Sequence, residues 1–141
     1  MMTIDQFEAK LGEKITTVRP WLEVGLDDIG KLAQSMAKSY IGSYQHGWAP
    51  LAESTIADKA AKGFAVPAPL LRTGEMRDSI EYEVELAEFE VVVGSHLLIA
   101  LYQELGTSRI PPRSFLGLAM SECIPLAEEI FGKIAVKILT E

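Results

Sequence analysis

The sequence predicts an α+β domain, in which a small antiparallel sheet packs against helices from the two ends of the chain. Strict alternation of side chains between residues 80 and 94 indicates the sheet, and helical spacing of apolar residues near both termini indicates the helices. With 141 residues, of which 48% are hydrophobic, the chain fits one ordinary folded domain. We therefore predict a single domain over residues 1–141.

The predicted sheet is a hairpin that spans residues 80–94. Apolar residues at even positions alternate with glutamates at odd positions, namely Ile80, Tyr82, Val84 and Leu86 with Glu81, Glu83 and Glu85. A period of two is typical of a strand with one buried and one solvated face. A turn near Ala87–Glu88 then leads into the second strand, Phe89–Gly94. The hairpin should therefore present an acidic face to solvent.

Helices are predicted on both sides of this hairpin. Thr3 and Gln6 form a capping box, but Pro20 and Gly25 interrupt the pattern that follows, so we expect two N-terminal helices. We expect the second of them to end near Gly42 or Tyr44.

The other predicted helices follow the hairpin. The longest apolar run, Leu97–Tyr102, has the length of a core segment, and its helix should continue to Leu105 and stop at Gly106. Ser114 is expected to cap a C-terminal helix, in which Pro125 lies near the first turn or causes a kink.

Residues 45–72 are predicted to be irregular apart from a short helix from Ser54 to Lys62. Long irregular connections are uncommon inside compact domains and often have a function. Trp48 and Phe64 make this segment more apolar than a solvated linker. It is either a mobile arm that becomes ordered against a neighbouring subunit or a long loop that packs against its own sheet.

The charge and cysteine content argue against several classes of protein. Twenty acidic and 13 basic residues give a net charge of −7, which is unsuited to wrapping nucleic acid. Cys123 is the one cysteine, so neither a disulfide framework nor a structural zinc is expected. No apolar run is long enough to span a membrane, and Met1–Asp5 does not begin a secretory signal. We expect synthesis in the cytoplasm and no membrane partner.

No group of residues predicts catalysis. His46 and His96 lie far apart in the sequence, without a nucleophile motif, and are expected to be solvated or to take part in turns. Arg72–Gly74 lacks the spacing and the lysine of a phosphate-binding loop. Glu104, with a nearby arginine, is the one candidate for a small enzyme. We predict a protein that is not an enzyme and that has no cofactor and no metal site.

Five segments between Trp48 and Phe115 carry a more specific signal. They are Trp48–Leu51, Pro69–Ile80, Val92–Ser95, Ala100–Thr107 and Ile110–Leu116. In this order they resemble the virion morphogenesis proteins of Mu-like phages and the related tail-completion, or head–tail joining, proteins. Those families show W-x-P-L, then L-x-x-[ST]-G-x-[LM]-R-x-S, V-G-[ST], A-x-[YH]-Q-x-G and I-P-x-R-x-F-L. The resemblance covers about half of the chain, and Ser114 stands where many members have proline.

The resemblance implies a structural protein of the virion, assembled in the cytoplasm of the bacterial host. It would act in tail completion or as a head–tail connector, as a homo-oligomer, often a ring, in contact with neighbouring neck or tail proteins. It implies neither an enzyme nor sequence-specific binding of nucleic acid. The alternative is an intracellular protein-binding adaptor without a virion.

Charge suggests how copies would meet. Arginines of one copy would contact glutamates of the next, and apolar residues of the irregular segment would be buried between them. The candidate interface residues are Trp48, Phe64, Arg72, Arg77, Glu81, Glu83, Glu85, Glu104, Arg109 and Arg113. The alternative, of equal weight, is that these arginines pair within one copy or remain solvated.

Overall fold

In the computed structural model, the fold begins with the long helix α1 (Ile4–Tyr40). The structure describes residues 1–43 and 46–140, except for the side chains of Leu11, Ile15, Ile138 and Leu139. The remaining elements are α2 (Glu53–Ala61), α3 (Glu75–Asp78), β1 (Glu81–Glu85), β2 (Glu90–Gly94), α4 (Leu98–Leu105) and α5 (Leu116–Thr140). Long terminal helices packed with a two-stranded antiparallel sheet confirm the α+β class.

The prediction of two N-terminal helices is wrong, because α1 is continuous through Pro20. Proline removes one backbone donor, but the carbonyl left without a partner lies in an exposed stretch where water can bond to it. Gly25 is also not a break. A Cβ there would lie 2.6 Å from Ile134 Cδ1, so the glycine permits a close approach of α5. The capping box is confirmed, since Gln6 N donates to Thr3 Oγ1 and Thr3 N donates to Gln6 Oε1.

Helices α1 and α5 run antiparallel. Near one end of their contact, Lys137 Nζ lies 4.0 Å from the centroid of the Trp21 ring. Near the other end, the Tyr40 hydroxyl donates to the Glu122 carboxylate. Burial, followed by this hydrogen bond, raises the pKa of Tyr40 to about 12. The described side chains of residues 4–17 are exposed, so the first turns of α1 extend past the end of this contact.

The hairpin packs its apolar face on α1. The register pairs Tyr82 with Val93 and Val84 with Val91, and the side chains of β1 alternate between half-buried and exposed as predicted. The Tyr82 hydroxyl donates to Asp27 Oδ1 over 2.7 Å, which fixes the ring against α1. The hairpin prediction is therefore confirmed in type and in face.

Gly30 provides the space for that ring. A Cβ at Gly30 would lie 2.7 Å from Tyr82 Cε2 and closer still to Cδ2. We expect Gly30→Ala to lower the free energy of unfolding by about 1–3 kcal/mol through overpacking, measured by urea denaturation. Gly12→Ala is the matched control on the same helix, because no atom lies within 4 Å of its Cβ position. It should stabilise the protein by about 0.5–1 kcal/mol, and equal effects of the two changes would contradict the packing argument.

The core lies where the end of α1, the start of the hairpin and the start of α5 meet. Its buried members are Ala37, Tyr40, Ile41, Met76, Ile80, Ala100, Phe115 and Ala119. Phe115 and Ile80 are 0% exposed. No helix in the described part of the chain is both long and apolar enough to cross a membrane.

Candidate functional site

Glu104, predicted to be an interface carboxylate, is bound by the N-terminus of α5 instead. Its Oε1 accepts hydrogen bonds from Ser114 Oγ at 2.6 Å and Gly117 N at 2.8 Å. Its Oε2 accepts from Phe115 N and Leu116 N, each at 2.9 Å. These are amides that the first turn of a helix leaves without internal acceptors, and a negative charge is favourable there. Burial opposes ionisation of Glu104, but the four hydrogen bonds outweigh it and hold its pKa below the ordinary 4.5.

Arg113, predicted to be an interface residue, is buried in its own chain and only 6% exposed. Its Nε and Nη2 donate to Ala49 O at 3.2 and 3.0 Å, and Nη2 also donates to Pro50 O at 3.2 Å. The planar guanidinium thus ties the segment after Trp48 to the start of α5. Arg113 and Glu104 are thus both bonded within their own chain.

The described part of the irregular segment is attached to the body of the protein. Trp48 Nε1 donates to Ser114 O over 3.2 Å, and the Lys59 ammonium donates to Ala68 O. The short helix in this segment is confirmed as α2, although it begins at Glu53 and Ala52 precedes it as the cap. These contacts fit the packed-loop interpretation better than the mobile-arm interpretation.

The other predicted interface arginines remain at the surface. Arg72 forms an ion pair with Asp58 at 3.2 Å, and its guanidinium lies 5.5 Å from the Phe64 ring centroid. Arg77 pairs with its neighbour Asp78 at 3.3 Å. Arg109 is exposed and makes no ion pair among the residues that the structure describes. Exposed ion pairs contribute little energy, so these side chains can exchange their partners.

A cleft of about 720 Å³ lies between α2, the loop before α3 and the segment after α4. We call it the basic cleft, because five cationic residues but only one carboxylate residue line it: Lys59, Lys62, Arg72, Arg109 and Arg113 against Glu75. Leu71, Ile99 and Ile110 contribute apolar wall. In a chain with a net charge of −7, this cleft is a local concentration of positive charge.

The hairpin carries the opposite charge. Its solvent side, together with the turn, presents the exposed residues Glu81, Glu83, Glu85, Glu88, Glu90 and Val92, which we call the acidic hairpin face. None of these glutamates forms an ion pair within residues 1–43 and 46–140. The sequence predicted the β1 part of this face but not Glu88, Glu90 or Val92.

Helix α4 exposes an apolar surface that the sequence analysis assigned to the core. Its exposed side chains are Leu98, Ile99, Leu101, Tyr102 and Leu105, with exposed fractions of 60%, 51%, 50%, 44% and 69%. In this helix only Ala100 is buried. We call these five residues the α4 apolar surface. One feature of the sequence could have indicated this exposed surface: the helix has no polar residue before Gln103, whereas an amphipathic surface helix would have polar residues in its first turns.

The remaining candidates for chemistry have structural surroundings. His46, expected to be solvated, lies between Tyr40 and Trp48, at ring-centroid distances of 4.3 and 4.9 Å. Cys123 is buried as expected, and burial raises the pKa of its thiol. Within the described residues, no group of three or more histidine, cysteine, aspartate or glutamate side chains could hold a metal ion.

Comparison with known proteins gives no assignment. No family model matches the chain, and no curated protein or solved structure matches it significantly.

Proposed function

We propose that the chain is a structural assembly protein of a phage or prophage, acting in tail completion or as a head–tail connector. It works by self-association and by contacts with neighbouring neck or tail proteins, in a virion assembled in the host cytoplasm. The resemblance of the segments between Trp48 and Phe115 suggests the biological setting. The α4 apolar surface is the structural observation that supports a function in assembly.

Most side chains of α4 are exposed to solvent. Large apolar side chains cluster on it at exposed fractions between 44% and 69%. Fully burying one such side chain contributes about 1.5–3 kcal/mol, so covering this helix would favour association strongly. Contiguous apolar surface of this kind marks interaction sites in soluble proteins.

The same surface would also serve an adaptor without a virion, whereas the enzyme alternative has less support. An acid catalyst needs a carboxyl group that can reach a substrate and exchange a proton. Glu104 instead accepts four hydrogen bonds from its own chain, and its pKa is lowered.

Self-association is tested by the double substitution Leu101→Gln and Leu105→Gln, followed by light scattering after size-exclusion chromatography. We expect the dissociation constant of the assembly to rise at least tenfold, about 1.4 kcal/mol, because the variant buries less apolar surface. Val24→Gln is the control, since Val24 is also exposed, at 56%, but lies on α1. Unchanged association of the double variant would rule out α4 as the contact.

The phage setting needs a second test, in a host whose phage lacks this chain. Electron microscopy is expected to show heads and tails that fail to join, and expression of the wild-type chain should restore complete particles. Normal particles formed without the chain would refute the virion function and leave the adaptor as the better proposal.

A further inference from the structure

We propose that the basic cleft of one copy binds the acidic hairpin face of a second copy, which gives a head-to-tail contact. This inference rests on the proposed assembly function and adds the surfaces that meet. The set of interface residues changes with it: Lys62, Glu88, Glu90 and Val92 enter, while Lys59, Glu104 and Arg113 are bonded within their own chain and contribute no intermolecular pair.

The cleft has more positive charge than its own chain neutralises. Lys62 and Arg72 share the single carboxylate of Asp58, at 2.9 and 3.2 Å. Lys59 is only 2% exposed, and its ammonium donates a hydrogen bond to the backbone carbonyl of Ala68. Burial, followed by repulsion from Arg72, lowers the pKa of Lys59. An incoming carboxylate would therefore reduce repulsion inside the cleft as well as form new ion pairs.

The acidic hairpin face has the complementary excess. Glu85 and Glu90 are direct cross-strand partners, and like charges placed opposite each other destabilise a strand pair. Glu81 and Glu83 continue the same row along β1, and no cation of the described chain pairs with any of them. A basic surface on a second copy would remove this repulsion.

The basic cleft and the acidic hairpin face are also complementary in their apolar groups. Val92 lies opposite Glu83 in the register and is 52% exposed within an otherwise acidic face. The cleft has apolar wall at Leu71, Ile99 and Ile110, and Ile99 also belongs to the α4 apolar surface. The hairpin of a second copy can therefore bury Val92 between the ion pairs, as apolar interface cores with polar rims do.

The two surfaces are different parts of the same chain, so the proposed contact joins unlike surfaces of identical copies. In the head-to-tail arrangement, the neighbour that fills the cleft of a copy is not the one that receives its hairpin, so one cleft and one hairpin face stay free at the ends of a pair. Such heterologous contacts continue until they close as a ring or extend as a filament.

The experiment uses two full-length variants with reversed charges. The first, Lys62→Glu with Arg72→Glu and Arg109→Glu, makes the cleft acidic, because two cations then face four carboxylates. The second, Glu81→Arg with Glu83→Arg and Glu85→Arg, makes the hairpin basic, because three arginines then outnumber two glutamates. Each alone places like charges together at the contact, so its dissociation constant should rise at least tenfold. In an equimolar mixture every contact joins opposite charges, so association should return to within threefold of wild type. Light scattering measures all three samples, and circular dichroism confirms that each variant is folded.

Glu128→Arg is the control, because Glu128 is an exposed carboxylate on α5 that belongs to neither surface. It should associate as wild type does. A mixture that stays dissociated, or a hairpin variant that associates normally, overturns the head-to-tail contact. If association is lost only in the Leu101 and Leu105 variant, the assembly function is retained and this contact is refuted. A wild-type chain that is monomeric at millimolar concentration also refutes the contact, whereas the particle experiment decides the virion function independently.

Discussion

Replacing Glu104 by alanine is expected to lower the free energy of unfolding by about 2–4 kcal/mol. The substitution removes the acceptor of three backbone amides at the start of α5 and of the Ser114 hydroxyl. Loss of a helix cap typically costs about 1 kcal/mol, and a hydrogen bond to a charged group contributes about 1.5–3 kcal/mol. Gly117 is exposed, so water can replace part of what is lost there. Urea denaturation followed by circular dichroism measures the effect.

Two further variants separate the charge of Glu104 from its shape. Glu104→Gln keeps the size and one acceptor oxygen, so we expect a loss of about 1–2 kcal/mol. Glu128→Ala changes an exposed carboxylate on the same helix and should stay within about 0.5 kcal/mol of wild type. Wild-type stability of Glu104→Ala would show that the four hydrogen bonds contribute nothing net.

The contribution of Glu104 should also depend on pH in a defined direction. Its pKa in the folded chain is below 4.5, so the folded state binds this proton less readily than the unfolded state does. The stabilisation is therefore complete above the unfolded pKa and is lost as pH falls through the folded pKa. The stability difference between wild type and Glu104→Gln should be constant near neutral pH and shrink below pH 4.5. A difference that grows on acidification would contradict this assignment.

Local patterns predicted those elements whose cause is local. The alternation of Tyr82 and Val84 with glutamates predicted both the strand and its solvated face, because a period of two fits no helix. Gly106 was correctly predicted to end α4, and its φ of 75° is a conformation that favours glycine. In both cases the residues that determine the structure are close together in the sequence.

Features that depend on distant residues were predicted poorly. Pro20 and Gly25 suggested breaks in the N-terminal helix. The close approach of Ile134 to Gly25 depends on the packing of α5, which the local sequence does not indicate. Glu104 reads as a free acid, because nothing in the sequence indicates that α5 begins beside it. Arg113 was similarly assigned to the surface, although its acceptors lie more than 60 residues earlier in the chain. Tertiary contacts override these local signals, so Glu104 and Arg113 are bonded within their own chain.

Replacing Arg113 by methionine is expected to lower the free energy of unfolding by about 2–4 kcal/mol. Methionine preserves much of the side-chain volume but donates no hydrogen bond, so Ala49 O and Pro50 O lose their donors. A hydrogen bond to a charged group contributes about 1.5–3 kcal/mol, and water replaces part of that loss because Ala49 and Pro50 are exposed. The loss should be local as well as global, because the guanidinium connects the segment after Trp48 to the start of α5. Hydrogen exchange near residues 48–52 is expected to accelerate, alongside a lower urea midpoint.

Arg113→Lys and Arg109→Met complete this test. Lysine retains the positive charge, but its single ammonium cannot reproduce the planar fork that reaches both carbonyls, so an intermediate loss of stability is expected. Arg109→Met removes an exposed cation from the same loop and should change stability by no more than about 0.5 kcal/mol. All measurements are made at two protein concentrations, so that a change in association is not mistaken for a change in folding. Equal stability of Arg113→Met and Arg109→Met would mean that charge near the basic cleft, rather than the attachment of residues 49 and 50, is the contribution of Arg113.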